Sequence, residues 1–136
     1  MDQKLLSEKF KRLKCCVIIP TYNNYKTLQH IIEGVLVYTE DVIVVNDGST
    51  DVTAEVLENF PQIQQINLLQ NKGKGNALRQ GFKHADSLGY RYAITIDSDG
   101  QHFPEDIPVF IEALEVEENK EILLIGARNM TQHGVP

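Results

Sequence analysis

The sequence predicts an α/β fold, an open and mainly parallel doubly wound sheet with helices on both faces. Three observations predict it. Short apolar runs alternate with segments of helical spacing. The runs are mostly continuous, as strands buried on both faces are. Polar, glycine-rich clusters follow four consecutive runs. Such alternation at a repeat of about 20–30 residues implies right-handed βαβ crossovers, which place ligands beyond the carboxyl ends of the strands.

The runs are Cys15–Ile19, Val42–Val45, Ile63–Leu69, Tyr92–Ile96 and Ile122–Ile125. Between the first two, Leu28, Ile31, Ile32, Val35 and Leu36 fall on one helical face. Val52, Val56 and Leu57 suggest a shorter helix, with Asp51 a candidate N-cap. Leu78, Phe82, Ala85 and Leu88 line a third helix, closed by Gly89. Phe110, Ile111 and Leu114 line a fourth. Pro108 is tolerated only in its first turn, so this helix starts near Ile107. Leu5, Leu6, Phe10 and Leu13 are roughly in phase for a leading helix.

Composition bounds the function. The 136 residues make one domain, and 42% hydrophobic with 24% charged residues is ordinary globular composition. A net charge of −6 argues against a nucleic-acid partner and against a polybasic membrane anchor. No apolar run approaches the ~20 residues of a membrane span, and the charged start lacks a signal peptide's apolar stretch. Adjacent Cys15 and Cys16 point to opposite faces of a strand and are not expected to pair, which suits a cytoplasmic setting.

The chemistry lies after the strands. Asp97 and Asp99 are two apart at a strand end, so extended backbone points both the same way, and Gln101 continues the alternation. Two carboxylates and an amide oxygen suit a hard cation, Mg²⁺ or Mn²⁺. The alternative is a solvated acidic turn beside Gly100. Lys72-Gly73-Lys74-Gly75 precedes a helix start, where backbone N–H groups and the helix dipole favour an anion. It lacks the spacing of a P-loop, and no Gly-x-Gly-x-x-Gly follows the first strand; the plain reading is a flexible turn. Asn46-Asp47-Gly48-Ser49 is either a simple turn or a place where Asp47 accepts hydrogen bonds from a base or ribose. Tyr22 stacks on a base or covers the sheet edge. His102 follows the acidic cluster, whereas His30, His84 and His133 have no assigned role.

In this order and spacing, VIIPTYNN (17–24), VIVVNDGSTD (42–51), NKGKGNALRQGF (71–82), TIDSDGQH (95–102) and IGARNM (125–130) resemble the nucleotide-sugar-binding half of family 2 glycosyltransferases, which have the GT-A fold. DSDGQHFPEDIP looks most like the metal loop of the polyprenyl-phosphate branch, related to dolichyl-phosphate sugar transferases. The resemblance implies an inverting glycosyltransferase that takes a UDP- or GDP-linked sugar donor, and a polyprenyl phosphate or glycan acceptor for the full-length protein at the cytoplasmic face of a membrane. Carried over by position, Pro20, Tyr22 and Asn23 line the nucleotide, Asp47 reads the base, Lys74 lies near the nucleotide, and Asp97 near ribose or sugar. Asp99 holds the metal with Gln101, and Asp97 completes the set. Asn46 stands where the family often has a first aspartate, which leaves one carboxylate rather than two. Arg128 matches a family arginine without a settled role. The division implied is a helical lead-in over 1–14, a donor domain over 15–129 that is incomplete at its C-terminal end, and a tail over 130–136. No general base is identified, and the 136 residues alone are expected to be inactive. The rival readings are a nucleotidyltransferase, disfavoured because Thr-Tyr-Asn-Asn replaces a basic glycine-rich loop after the first strand, and a non-catalytic nucleotide-binding module.

Overall fold

The computed structural model describes residues 3–99, 104–116 and 124–125. Strands β1 (Cys15–Thr21), β2 (Val42–Asn46), β3 (Gln64–Asn67), β4 (Tyr92–Thr95) and β5 (Leu124–Ile125) form one five-stranded sheet of order β3-β2-β1-β4-β5. Every pairing is parallel, and the register sets Val17 against Val42 and Ile94. Helices α1 (Gln3–Leu13), α2 (Tyr25–Leu36), α3 (Thr53–Leu57), α4 (Lys74–Ser87) and α5 (Ile107–Val116) connect or flank the strands, and a 3₁₀ turn over Pro104–Asp106 leads into α5. Pro108 therefore sits in the first turn of α5, where its missing N–H is harmless.

All seven residues of β1 are buried, as expected of a central parallel strand. Alternation divides them. Cys15, Val17 and Ile19 join Val42, Val44 and Ile94 in the larger core, which α1, α2, α3 and α5 cover. Cys16 and Ile18 join Ile43, Val45 and Ala93 in a smaller core beneath α4. The helices do lie on both faces, but unevenly.

α4 approaches the sheet closely because its inner face is small: Ala77, Gly81 and Ala85 recur every fourth residue, with Leu78 beside them. A Cβ on Gly81 would lie 2.7 Å from Ile18 Cγ2. The helix ends in a Schellman motif. Gly89, at φ 88°, donates its N–H to Asp86 O at 3.0 Å, and Tyr90 N donates to Ala85 O at 3.1 Å.

Several details differ from the sequence reading. β3 is an edge strand, exposed or half-buried along its length, and covers only 64–67 of the run 63–69. Gln64 and Asn67 are exposed, the half-buried Gln65 donates its amide to Leu57 O at 2.9 Å and Phe60 O at 3.0 Å, and Ile63, just before the strand, is buried. Leu5 and Leu88 are exposed, at 45% and 48%, because one lies off the phase of Leu6, Phe10 and Leu13 and the other lies past the last turn of α4. Asp51 stands one residue ahead of the N-cap position, Val52; its Oδ1 accepts from Thr53 N at 2.9 Å and from the Thr53 hydroxyl. α1 is packed into the larger core through Leu6 and Phe10, both fully buried. Among the described residues no helix is long and apolar enough to cross a membrane.

Candidate functional site

In the observed order the chain leaves β1 toward β2 on one side and adds β4 on the other. The switch point, where such sheets open a crevice, therefore lies between β1 and β4. A cleft of about 260 Å³ lies there. Its walls are the end of β1 (Pro20, Thr21) and the residues after it (Tyr22, Asn24), Asp47 after β2, the loop and first turn of α4 (Asn71, Gly73, Lys74, Ala77), and Asp97, Ser98 and Asp99 after β4. Loops from distant parts of the chain converge because parallel strands all end at the same edge.

The acidic wall keeps its alternation beyond the last paired residue. Ser98 is buried, and its hydroxyl accepts from Asn24 Nδ2 at 3.2 Å while its carbonyl accepts from the Thr27 hydroxyl. Held there by α2 and the residue that precedes it, Ser98 leaves its two neighbours to line the cleft, Asp97 half-buried and Asp99 exposed. Lys74 Nζ forms an ion pair with Asp97 Oδ1 across the cleft. Lys74 is the first residue of α4, whose first turn carries no acidic residue. A cation there opposes the helix dipole, a cost of about 0.3–1 kcal/mol that an anionic partner offsets.

Asp47 is buried and anchors the glycine-rich loop. Its Oδ1 accepts from Lys72 N at 3.0 Å, and its Oδ2 accepts from Gly73 N at 3.0 Å and from Asn71 Nδ2 at 3.2 Å. The backbone N–H groups that the sequence assigns to an incoming anion at Lys72 and Gly73 are thus engaged by the chain's own carboxylate. Gly48, at φ 70°, is needed beside it: a Cβ there would lie 2.4 Å from Asn71 N. Asn46 donates to Asn67 Oδ1 at 3.1 Å and accepts from Ser49 N at 3.1 Å, so its amide uses both a donor and an acceptor, which a carboxylate cannot do.

The structure brings together Pro20, Tyr22, Asp47, Lys74, Asp97 and Asp99 of the residues the sequence nominates. Asn23 is not among the residues lining the cleft. At φ 54° it bridges to the loop after β2, donating N–H to Ser49 Oγ at 3.0 Å and accepting from Thr50 N at 2.8 Å through Oδ1. Gln101, His102 and Arg128 lie outside the described residues. The sequence reading missed Asn24, Asn71 and Thr21, each adjacent to a nominated residue. Thr21 is 3% exposed, lines the cleft, and its hydroxyl has no hydrogen-bond partner among the described residues. Such a group is costly to bury and marks a place that welcomes a polar guest.

A parallel α/β sheet with a charged cleft at its switch point defines a domain of the doubly wound class. The chain belongs to glycosyl transferase family 2, which it matches over residues 16–130. It is 33% identical over 129 residues to the UDP-N-acetylglucosamine–dolichyl-phosphate N-acetylglucosaminyltransferase of Methanococcus voltae, covering 82% of this chain and 51% of that protein. It is 30% identical over 124 residues to the undecaprenyl-phosphate mannosyltransferase of Micrococcus luteus, covering 87% of this chain and 49% of the relative. In fold it is similar to glucosyl-3-phosphoglycerate synthase of Mycobacterium tuberculosis, solved with Mn²⁺ and UDP-glucose: the TM-score is 0.66 at 21% identity, over 84% of this chain and 43% of that one. The chain thus has a GT-A-like fold and spans about half the length of the curated relatives it matches.

Proposed function

We propose that this domain holds the nucleoside-diphosphate-sugar donor of an inverting glycosyl transfer, with a divalent cation, Mg²⁺ or Mn²⁺. The observation that carries this reading is the meeting of Lys74, Asp97 and Asp99 in one cleft at the switch point. One cation and two carboxylates facing a common space suit a ligand that is itself a polyanion with a metal.

The donor set fits a hard cation in part. Asp97 and Asp99 offer oxygen donors, and among the described residues no group of three His, Cys, Asp or Glu could hold a metal. Diphosphate oxygens and water would complete the shell, as Mg²⁺ and Mn²⁺ commonly allow; Gln101 lies outside the described residues. When bound, the cation supplies charge neutralisation for the leaving diphosphate. Lys74 supplies further positive charge to that diphosphate. Asp47 keeps the loop that carries Lys74 in place, and Tyr22 and Pro20 flank the nucleoside. The bond between the anomeric carbon and the diphosphate oxygen breaks while the acceptor oxygen bonds to the opposite face, so configuration inverts.

For the acceptor we propose a polyprenyl phosphate, because relatives carry dolichyl- and undecaprenyl-phosphate transferase names. A phosphate nucleophile is already ionised near neutral pH, so it makes little demand for a general base. The 136 residues span half of those relatives, and we expect them to bind donor without turning it over. Thermal unfolding tests the donor site. UDP or GDP should raise Tm in a Mn²⁺-dependent manner, as a ligand that binds only the native state must, and Asp99→Ala should abolish the rise. A shift that persists undiminished in Asp99→Ala, or no shift with either nucleotide, would refute it.

A further inference from the structure

We propose that Lys74 stands in for the divalent cation in the ligand-free cleft, so that a donor nucleotide uncovers the cation site. This rests on the donor-site reading above. Lys74 Nζ is paired with Oδ1 of Asp97, one of the two carboxylates that face the cleft. An ammonium and a metal ion cannot both lie against one carboxylate without strong mutual repulsion, because Coulomb energy rises steeply at such separations. A cation that engages Asp97 therefore competes with Lys74, which is paired with one of the two carboxylate oxygens.

The pair is built to be exchanged. Its partners sit on separate walls, Lys74 at the start of α4 and Asp97 beyond β4. The lysine side chain is 48% exposed, and a flexible four-carbon stem lets the ammonium swing without disturbing the helix. Once it leaves Asp97, Lys74 needs another anion, since its position opposes the dipole of α4. The diphosphate of the donor is that anion. Nucleotide and cation then help each other by two routes, direct ligation and release of Asp97, and the help is reciprocal.

Titration of Mn²⁺ followed by the EPR signal of the free ion tests this, with no nucleotide and with UDP or GDP at saturation. The variants are Lys74→Met, Lys74→Arg and Lys72→Met, the last removing one positive charge from an exposed site in the same loop. A part-exposed pair implies that Lys74→Met binds Mn²⁺ alone about two- to five-fold more tightly than the parent. Lys74→Arg should stay at the parent's value, and Lys72→Met should gain less than Lys74→Met. The enhancement of Mn²⁺ binding by nucleotide should shrink in Lys74→Met by the same factor. The proposal is overturned if Lys74→Met binds Mn²⁺ alone no better than the parent, or if Lys72→Met gains as much. Should the parent bind neither nucleotide with Mn²⁺, the donor-site reading falls and this inference with it. If the parent binds both and Lys74→Met gains nothing, only the inference falls.

Discussion

Thr21 ends the central strand with a buried hydroxyl that no neighbour among the described residues satisfies. An unmet hydroxyl costs about 1–3 kcal/mol when water is excluded. Thr21→Val keeps the shape and removes the debt, so it should stabilise the ligand-free protein by about 1 kcal/mol in urea unfolding; a loss of stability would mean that a water molecule already serves the group. The sequence could not disclose this, because an unpartnered hydroxyl is defined by what surrounds it. Asp47 makes the same point from the other side. Its place after a strand was legible, and a carboxylate there is an obvious acceptor. Its partners at Asn71, Lys72 and Gly73 belong to a loop that only the fold brings near. Asp97 and Asp99 were readable because local strand geometry alone orients them.

At the scale of elements, α4 is the informative helix. Its seam on the sheet is written in Ala77, Gly81 and Ala85, small residues that add little to an apolar pattern. Phe82 and Leu88, which stand out in the sequence, lie half-buried and exposed. Close approach decides the packing, and closeness favours small side chains over hydrophobic ones. Gly81→Ala should therefore destabilise the fold, by about 1–3 kcal/mol if the core behaves as overpacked cores do. The added Cβ would meet Ile18 Cγ2 at 2.7 Å. Chemical denaturation measures this, and an unchanged midpoint would show that α4 can shift outward freely. The strands were the easier elements: β1, β2 and β4 announce themselves by continuous apolar runs. β3 did so less faithfully, because an edge strand needs only one buried side and its sequence, QQIN, is mostly polar.

Across the whole molecule, stability depends on pH through groups buried far from the cleft. Burial pushes the Cys16 thiol from 9.0 up to about 12. Burial also raises Cys15, with its neighbouring thiol adding to the shift, and raises Tyr90, whose hydroxyl donates to Asp41 Oδ1 at 2.7 Å. Each of these groups holds its proton more tightly when folded. The unfolded chain releases protons first as pH rises, so the stabilisation is complete below about pH 9 and is lost progressively toward about pH 12. Cys16→Ala should make that alkaline decline shallower, whatever it does to stability at neutral pH. Equilibrium unfolding at a series of pH values reads the slope, and a slope identical to the parent's would contradict the assignment. The global architecture was legible from alternation and crossover rules. The uneven division of helices between the two faces was not, since it depends on which way each crossover carries its helix.

That uneven division reaches the cleft through what each wall is fastened to. α4 packs on β1 and β2, and it is the helix over the smaller core, whereas the opposite face is shared by α1, α2, α3 and α5. Opening free energies within a protein follow how much buried contact each unit must give up. On that measure the wall that carries Lys74 is firmly held, since α4 packs on both β1 and β2 and Asp47 grips the loop before it through Asn71, Lys72 and Gly73. The wall that carries Asp97 and Asp99 is tied through Ser98 to α2 and the larger core. The two sides of the cleft are thus rooted in different cores, and a loss of packing in one core loosens one wall before the other.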